Sequence, residues 1–392
     1  MCGLQGSGKT IWAPTVGSRT RRGQLLLPGL GEPAEPAGRI RRKRMAPGRC
    51  LGLGADMSIM VSTPSVDEMS RAVDALKRWQ YDGGPLHLHP GDLGWHSLNG
   101  AEATAAAIRM WSRDGEVLAV GLLDGPELVR MAVAPQWRDD EALAHRLAAD
   151  LDDPARGVLP PDGATVEARG AELLTQLLMK RGWEPAEAWT TFHRGLSDPV
   201  ENCGLRIETI EPDRAQVWVA VHWSAFRGSP FTDADRHSRV GRWLAMVGGP
   251  FYGDGRFLAA FDANDDAVAV ATVWSAGPGR PGLLEPMGVH RSHRGHGYGT
   301  AITLAAAAAL REMGSSSASV CVQSSNIAAV ATYASAGFTP SLRWPICTAG
   351  PAEVVVFPPP PFTDRYRSLL RLVPYRAVQK MGRVRADWPA HV

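Results

Sequence analysis

Residues 283–299 read LLEPMGVHRSHRGHGYG, and residues 326–338 read NIAAVATYASAGF. The first string opens with an apolar segment, Leu283 to Val289, and passes directly into Arg294-Gly295-His296-Gly297-Tyr298-Gly299. An alanine-rich run from Thr300 to Glu312, free of Gly and Pro, follows and is predicted to be helical. A strand, a glycine-rich loop and a helix in that order present backbone N–H groups at a helix N-terminus, where a phosphate or pyrophosphate binds. The glycines allow positive φ and a close approach of the backbone, and Arg294 adds a cation. Ala318 to Gln323 then reads as a short strand, and Asn326 to Phe338 as a helix closed by Gly337.

RxxGxG after a strand, followed by NxxAxxxYxxxGF, resembles the Gcn5-related N-acetyltransferase (GNAT) family. Both core motifs of that family stand here in order and at the expected separation. The resemblance implies an α/β (α+β) fold, a mixed and mostly antiparallel sheet flanked by helices, with acetyl-CoA as acyl donor and no metal. It implies that the pantetheine arm runs along Leu283 to Val289 and that N–H groups near Met287 and Val289 bind the thioester carbonyl. The pyrophosphate would lie on the N–H groups of Gly295, His296, Gly297, Tyr298, Gly299 and Thr300, beside Arg294. Tyr333 occupies the motif position that protonates the departing thiolate. Asn326 occupies the position that contacts the cofactor or orders its helix.

Acyl transfer to an amine needs a group to take the amine proton, donors for the carbonyl oxygen, and a proton for the thiolate. Glu285 is the candidate base. Strand alternation puts Glu285, Met287 and Val289 on one face, and a carboxylate within an apolar strand is costly unless used or paired. The competing reading is a carboxylate held by a structural Arg. His290, His293 and His296 have a spacing that only a helix would gather around a metal; in a loop they read as solvated or phosphate-facing. Trp223, Phe226, Phe231, Trp243, Phe251 and Tyr252 lie where the family binds its acceptor, and helical spacing fits core as well as pocket. If they line a pocket, the acceptor is partly apolar or a cationic amine held by cation–π contact.

The rest of the chain bounds the setting. At 392 residues it is long enough for two cores, and a net charge of +2 gives no reason to expect a nucleic-acid partner. No run reaches bilayer-spanning length, and the apolar block of a signal peptide is missing, so a cytoplasmic protein without membrane contact is expected. The five cysteines are scattered without a CxxC pair, which suggests neither disulfides nor zinc. Residues 1–56 are rich in Gly, Pro and Arg and read as a disordered extension, with Met57 as a possible true start of translation. Within them Gly3 to Thr10 matches GxxxxGK[ST] but lacks the strand and helix that make such a loop work. The basic cluster Arg39 to Arg44 reads as a solvated charge run.

From Ser65 the pattern becomes regular. A helix capped by Ser65 and carrying Met69, Ala72, Val73, Leu76 and Trp79, a second helix at Ala101 to Trp111, and a hairpin of Glu116 to Leu123 with Glu127 to Val133 are predicted. A helix at Glu141 to Leu151, a strand at Thr165 to Ala168, a helix at Ala171 to Lys180 and a strand at Trp189 to Arg194 complete this half. Setting Val133 on Val289 puts Arg138 on Arg294, but Asp139, Asp140, Glu141 and Leu143 on Gly295, His296, Gly297 and Gly299. Carboxylates would repel a pyrophosphate there. Setting Gly182-Trp183 on Gly337-Phe338 puts Leu178 at Tyr333 and Ala171 at Asn326. The chain thus resembles tandem-domain members of the family, with 57–196 a degenerate GNAT-like scaffold, 197–204 a linker, 205–350 the catalytic GNAT domain and 351–392 a Pro-rich tail.

In the second half, a strand at Leu205 to Ile210, helices at Asp213 to Phe226 and Ala234 to Met246, paired strands Arg256 to Phe261 and Ala267 to Trp274, and a last strand near Trp344 to Thr348 are expected. The function so read is transfer of an acetyl group from acetyl-CoA to a small-molecule or peptide amine by direct attack on the thioester. A non-enzymatic acyl-CoA-binding sensor or partner-binding module is the alternative, which would not need Tyr333 or Glu285. A P-loop nucleotide-binding protein using Gly3 to Thr10 is the minor one.

Overall fold

The computed structural model describes residues 59–349 apart from 126, 160–163, 228 and 342–345, all within one compact unit, Met1–Gly350. The readings of 1–56, of Met57 and of 351–392 fall outside the described residues. The first half contains β1 (Met60–Ser62), α1 (Met69–Trp79), α2 (Pro90–His96), α3 (Ala101–Ala107), β2 (Ile108–Arg113), β3 (Glu116–Leu123) and β4 (Leu128–Val133). It continues with α4 (Glu141–Asp152), β5 (Ala164–Glu167), α5 (Glu172–Lys180), β6 (Glu184–Pro185) and β7 (Trp189–Gly195). The second half contains β8 (Arg206–Thr209), α6 (Ala215–Phe226), α7 (Asp233–Val247), β9 (Gly255–Phe261), β10 (Ala267–Trp274) and β11 (Gly282–Val289). It ends with α8 (Tyr298–Glu312), β12 (Ser317–Gln323), α9 (Ile327–Ser335), β13 (Thr339–Pro340) and β14 (Cys347–Ala349).

Two mixed seven-stranded sheets result, in the orders β1-β2-β3-β4-β5-β14-β6 and β8-β9-β10-β11-β12-β7-β13. Read position by position, the orders are equivalent, with one exchange. β7 pairs antiparallel with β12 from Trp189–Gln323 to Gly195–Ser317, inside the second sheet. β14 pairs with β5 through Cys347–Val166, inside the first. The strand expected to finish the first half therefore lies in the second sheet, and the strand expected to finish the second lies in the first.

Three apolar cores hold these layers. One joins the first sheet to α4 and α5 through Met131, Leu147, Val166 and Leu178, and another joins the second sheet to α8 and α9 through Val273, Leu284, Ile302 and Leu310. The third is shared: Leu76, Leu93 and Ile108 of the first half pack with Trp218, Phe257 and Trp274 of the second. Fully burying one such side chain is worth about 1.5–3 kcal/mol, so the two halves stabilise each other. α2 makes the closest approach. A Cβ at Gly91 or Gly94 would stand 2.3 or 2.5 Å from the Trp274 side chain, so these glycines, spaced i and i+3, let the helix lie flat on the indole.

Most predicted elements are present, with differences that have local causes. The helix from Ala101 stops at Ala107, because Ile108–Arg113 pair with β1 and β3 and bury alternate side chains in different cores. Ser65 does not cap α1: Glu68 is the N-cap, and Ser65 donates its N–H and O–H to the Glu68 carboxylate. α2 and β1 are additional, too short to leave a periodic signal.

Candidate active site

β11 and β12 run parallel and pair at Gly282–Ala318 and Leu283–Ser319, then part. On its other edge β11 pairs with β10, Val273 with Leu284 and Ala271 with Met287, so Glu285 and Pro286 together oppose Thr272. That is a β-bulge. It resets the alternation: Leu284, Met287 and Val289 all face the α8 side of the sheet, while Leu283 belongs to the shared core on the other side. Glu285 therefore sits in the bulge and does not share a face with Met287 and Val289 by simple alternation. Trp274 Nε1 donates to the Glu285 carbonyl at 2.8 Å and pins this kink.

Backbone direction follows from the register. His290 N–H donates to Val268 O at 2.8 Å, across β10. N–H groups alternate sides along a strand, so Gly288 also faces β10, and the N–H groups of Met287 and Val289 face the opening between β11 and β12. Two adjacent donors on one edge are what a carbonyl acquiring negative charge needs.

At the end of β11 the chain enters the glycine loop. Gly295 (φ +85°) and Gly297 (φ +80°) take the left-handed conformation, and a Cβ on either would meet no atom within 4 Å. Gly297 is the N-cap of α8 and no side chain caps that helix. The first-turn N–H groups of Tyr298, Gly299 and Thr300 thus have no side-chain cap, and the partial positive charge of the helix start fits a pyrophosphate. Gly299 has a different reason to be Gly: a Cβ there would lie 3.1 Å from Thr332 Cγ2, where α8 crosses α9. Arg294 donates to Ala225 O at 2.8 Å, tying the loop to the end of α6. His290 is held below its ordinary pKa by burial and by His293, Arg291 and Arg294, which marks the loop as cationic. His296 stacks on Tyr298, with ring centroids 5.7 Å apart.

Asn326 is the N-cap of α9 and accepts from Ala329 N–H at 3.1 Å; it orders the helix. Tyr333, on that helix, is buried between Phe192 and Phe338. Burial, then Glu285 and Cys321, push its phenol pKa well up, so the hydroxyl keeps its proton. Glu285 is half-buried, and its charge also acts on Arg130 and His89 of the first half. Arg130 is buried against Asp92 at 2.6 Å and Glu167 at 3.7 Å. Both readings of Glu285, an acid–base group beside Tyr333 and a carboxylate in the field of a structural arginine, thus meet at one place.

Sequence reasoning missed Trp274 and the contribution of α2. The spacing Gly91-x-x-Gly94 next to Trp95 was the available sign of a close approach.

The equivalent place in the first half is closed. Asp140 caps α4 by accepting from Leu143 N–H at 2.7 Å, so a carboxylate occupies the helix start. Beyond the β4–β5 pairing the chain's own segment 85–89 lies against β4, with Leu88 N–H on Met131 O and Arg169 on Leu86 O. Pro85 fills the space at Gly170, where a Cβ would stand 2.3 Å from the ring.

Comparison with known proteins agrees with this geometry. Residues 218–338 match the family described as Acetyltransferase (GNAT) family. Over 276 residues the chain is 29% identical to a mycothiol acetyltransferase of Thermobispora bispora, covering 62% of this chain and 86% of that protein. A tandem GNAT protein from the clavulanic acid biosynthesis pathway has the same fold at a TM-score of 0.51 and 20% identity, covering 75% of this chain and all of the other. The match runs from α6 to the end of α9, the segment that carries the splayed strands and the glycine loop, and it supports an acyltransferase.

Proposed function

We propose that the chain transfers an acetyl group from acetyl-CoA to the amine of a small molecule or peptide in the cytoplasm, with the second half catalytic and the first half a scaffold. The contrast between two equivalent helix starts carries this reading: α8 begins at Gly297 with no side-chain cap, whereas α4 is capped by Asp140. In the reaction Glu285 takes the amine proton as the new C–N bond forms. The N–H groups of Met287 and Val289 receive the charge that develops on the carbonyl oxygen. Tyr333 gives its proton to sulfur as the C–S bond breaks, a role for which a high phenol pKa keeps it loaded. Arg294, Gly295, His296, Gly297, Tyr298, Gly299 and Thr300 form the pyrophosphate loop, and Asn326 orders α9 beside it.

Calorimetric titration of acetyl-CoA into the full chain and into Gly297→Glu tests this. One site, abolished in the variant by charge and bulk against the pyrophosphate, is expected. Unchanged affinity in the variant refutes the loop as the site, and a second site in the wild type refutes the scaffold role of the first half. Deleting residues 1–56 is expected to leave turnover intact; total loss would favour the P-loop reading instead.

A further inference from the structure

We infer that the acceptor carries an anionic group, a carboxylate or a phosphate, on an apolar or aromatic body beside its reactive amine, and that Arg227 and Arg239 receive that anion. The inference rests on the acyl-transfer reading and names the class of acceptor. An open cleft lies where α2 meets α6 and α7, walled by Trp95 of the first half and by Trp218, Trp223, Trp243 and Phe226 of the second. Those walls suit a mostly apolar ligand oriented by a few polar groups. One wall of the cleft packs on the reacting strand: a Cβ on Gly288 would lie 3.0 Å from the Phe226 ring, and Gly288 stands between Met287 and Val289.

The polar groups are of one sign. Arg227 and Arg239, both lining the cleft, hold their guanidinium carbons 5.8 and 5.3 Å from the centre of the Trp223 ring. Burial, then Arg242 and Arg227, lower Arg239 to about 10, while Asp235 acts in the opposite direction. His222, stacked on Trp218 at 4.9 Å, is pushed down to about 3 by burial and then by Arg239 and Arg227. The guanidinium groups of Arg227 and Arg239 give the cleft a positive potential, which an anion relieves. The cationic acceptor considered from the aromatic residues alone is disfavoured, since the face of Trp223 is already taken by guanidinium groups and like charges repel. The same potential favours the neutral, nucleophilic form of an incoming amine.

Tyramine, tyrosine and O-phosphotyramine share one body and differ in anion, and thiol release from saturating acetyl-CoA reads their kcat/KM. Tyrosine or O-phosphotyramine should be preferred over tyramine by about tenfold or more, the worth of a charge-assisted hydrogen bond, and which of the two wins identifies the anion. Arg239→Gln and, separately, Arg227→Gln should collapse that preference toward one while acetyl-CoA still binds. Tyramine equal to both anionic amines, a preference that survives both substitutions, or no reaction of any of the three in protein that binds acetyl-CoA overturns the inference. Failure to bind acetyl-CoA at all refutes the acyl-transfer reading instead.

Discussion

In the proposed reaction Tyr333 and Glu285 divide the proton work between a group that must stay protonated and one that must accept. Replacing Tyr333 by Phe keeps the packing against Phe192 and Phe338 and removes only the hydroxyl. Turnover is expected to fall roughly a hundredfold, the lower end of general-acid catalysis, with the acetyl-CoA dissociation constant little changed; steady-state kinetics beside calorimetry checks this. Histidines set the pH range of stability. His89 accepts from Gly91 N–H at Nδ1 and so donates from Nε2 to Pro281 O, and burial lowers it and His87 to about 4. Their folded pKa values lie below the unfolded value near 6.5, so the unfolded chain binds more protons between pH 6.5 and 4. Stability is therefore full above that window and is lost as pH falls through it, by up to roughly 1.4 kcal/mol per pH unit for each histidine. Denaturation midpoints at pH 7.5, 6 and 5 should show this decline, and it should be shallower in His89→Gln.

At the scale of elements, β11 is placed by contacts from the other half. α2 lies on Trp274, and Trp274 holds the bulge at Glu285. Gly94→Ala drives a methyl into a fully buried indole and is expected to cost about 1–3 kcal/mol and to lower kcat more than acetyl-CoA affinity. Gly241→Ala, in α7 with no atom within 4 Å of the added methyl, is the matched control and should be neutral or stabilising by up to about 1 kcal/mol. Urea denaturation of the pair decides between close packing and a generic dislike of alanine. The elements themselves were legible in the sequence where a period ran long enough, as in α8 and the β9–β10 hairpin. Glu285 was placed on the wrong footing because alternation presumes a regular ladder, and a bulge resets it.

For the whole molecule, the glycine loop and the closed counterpart in the first half could be read from one chain because both are local: Gly297 against Glu141, Tyr333 against Leu178. The exchange of β7 and β14 could not, since a strand's period fixes its own faces and says nothing about which sheet receives it. Produced alone, residues 59–196 and 205–349 each lack the strand that borders β5 or β12, and neither is expected to unfold cooperatively. Mixing them should restore acetyl-CoA binding, and a cooperative transition in either fragment alone would contradict the exchange. During synthesis the order of emergence matters. The first sheet waits, with the edge of β5 open, until Cys347 to Ala349 leave the ribosome, so a nascent chain that has made every other strand still exposes an edge able to pair with a neighbour. Such a chain completes its earliest-made sheet late, and it stays at risk of misassociation until β14 emerges.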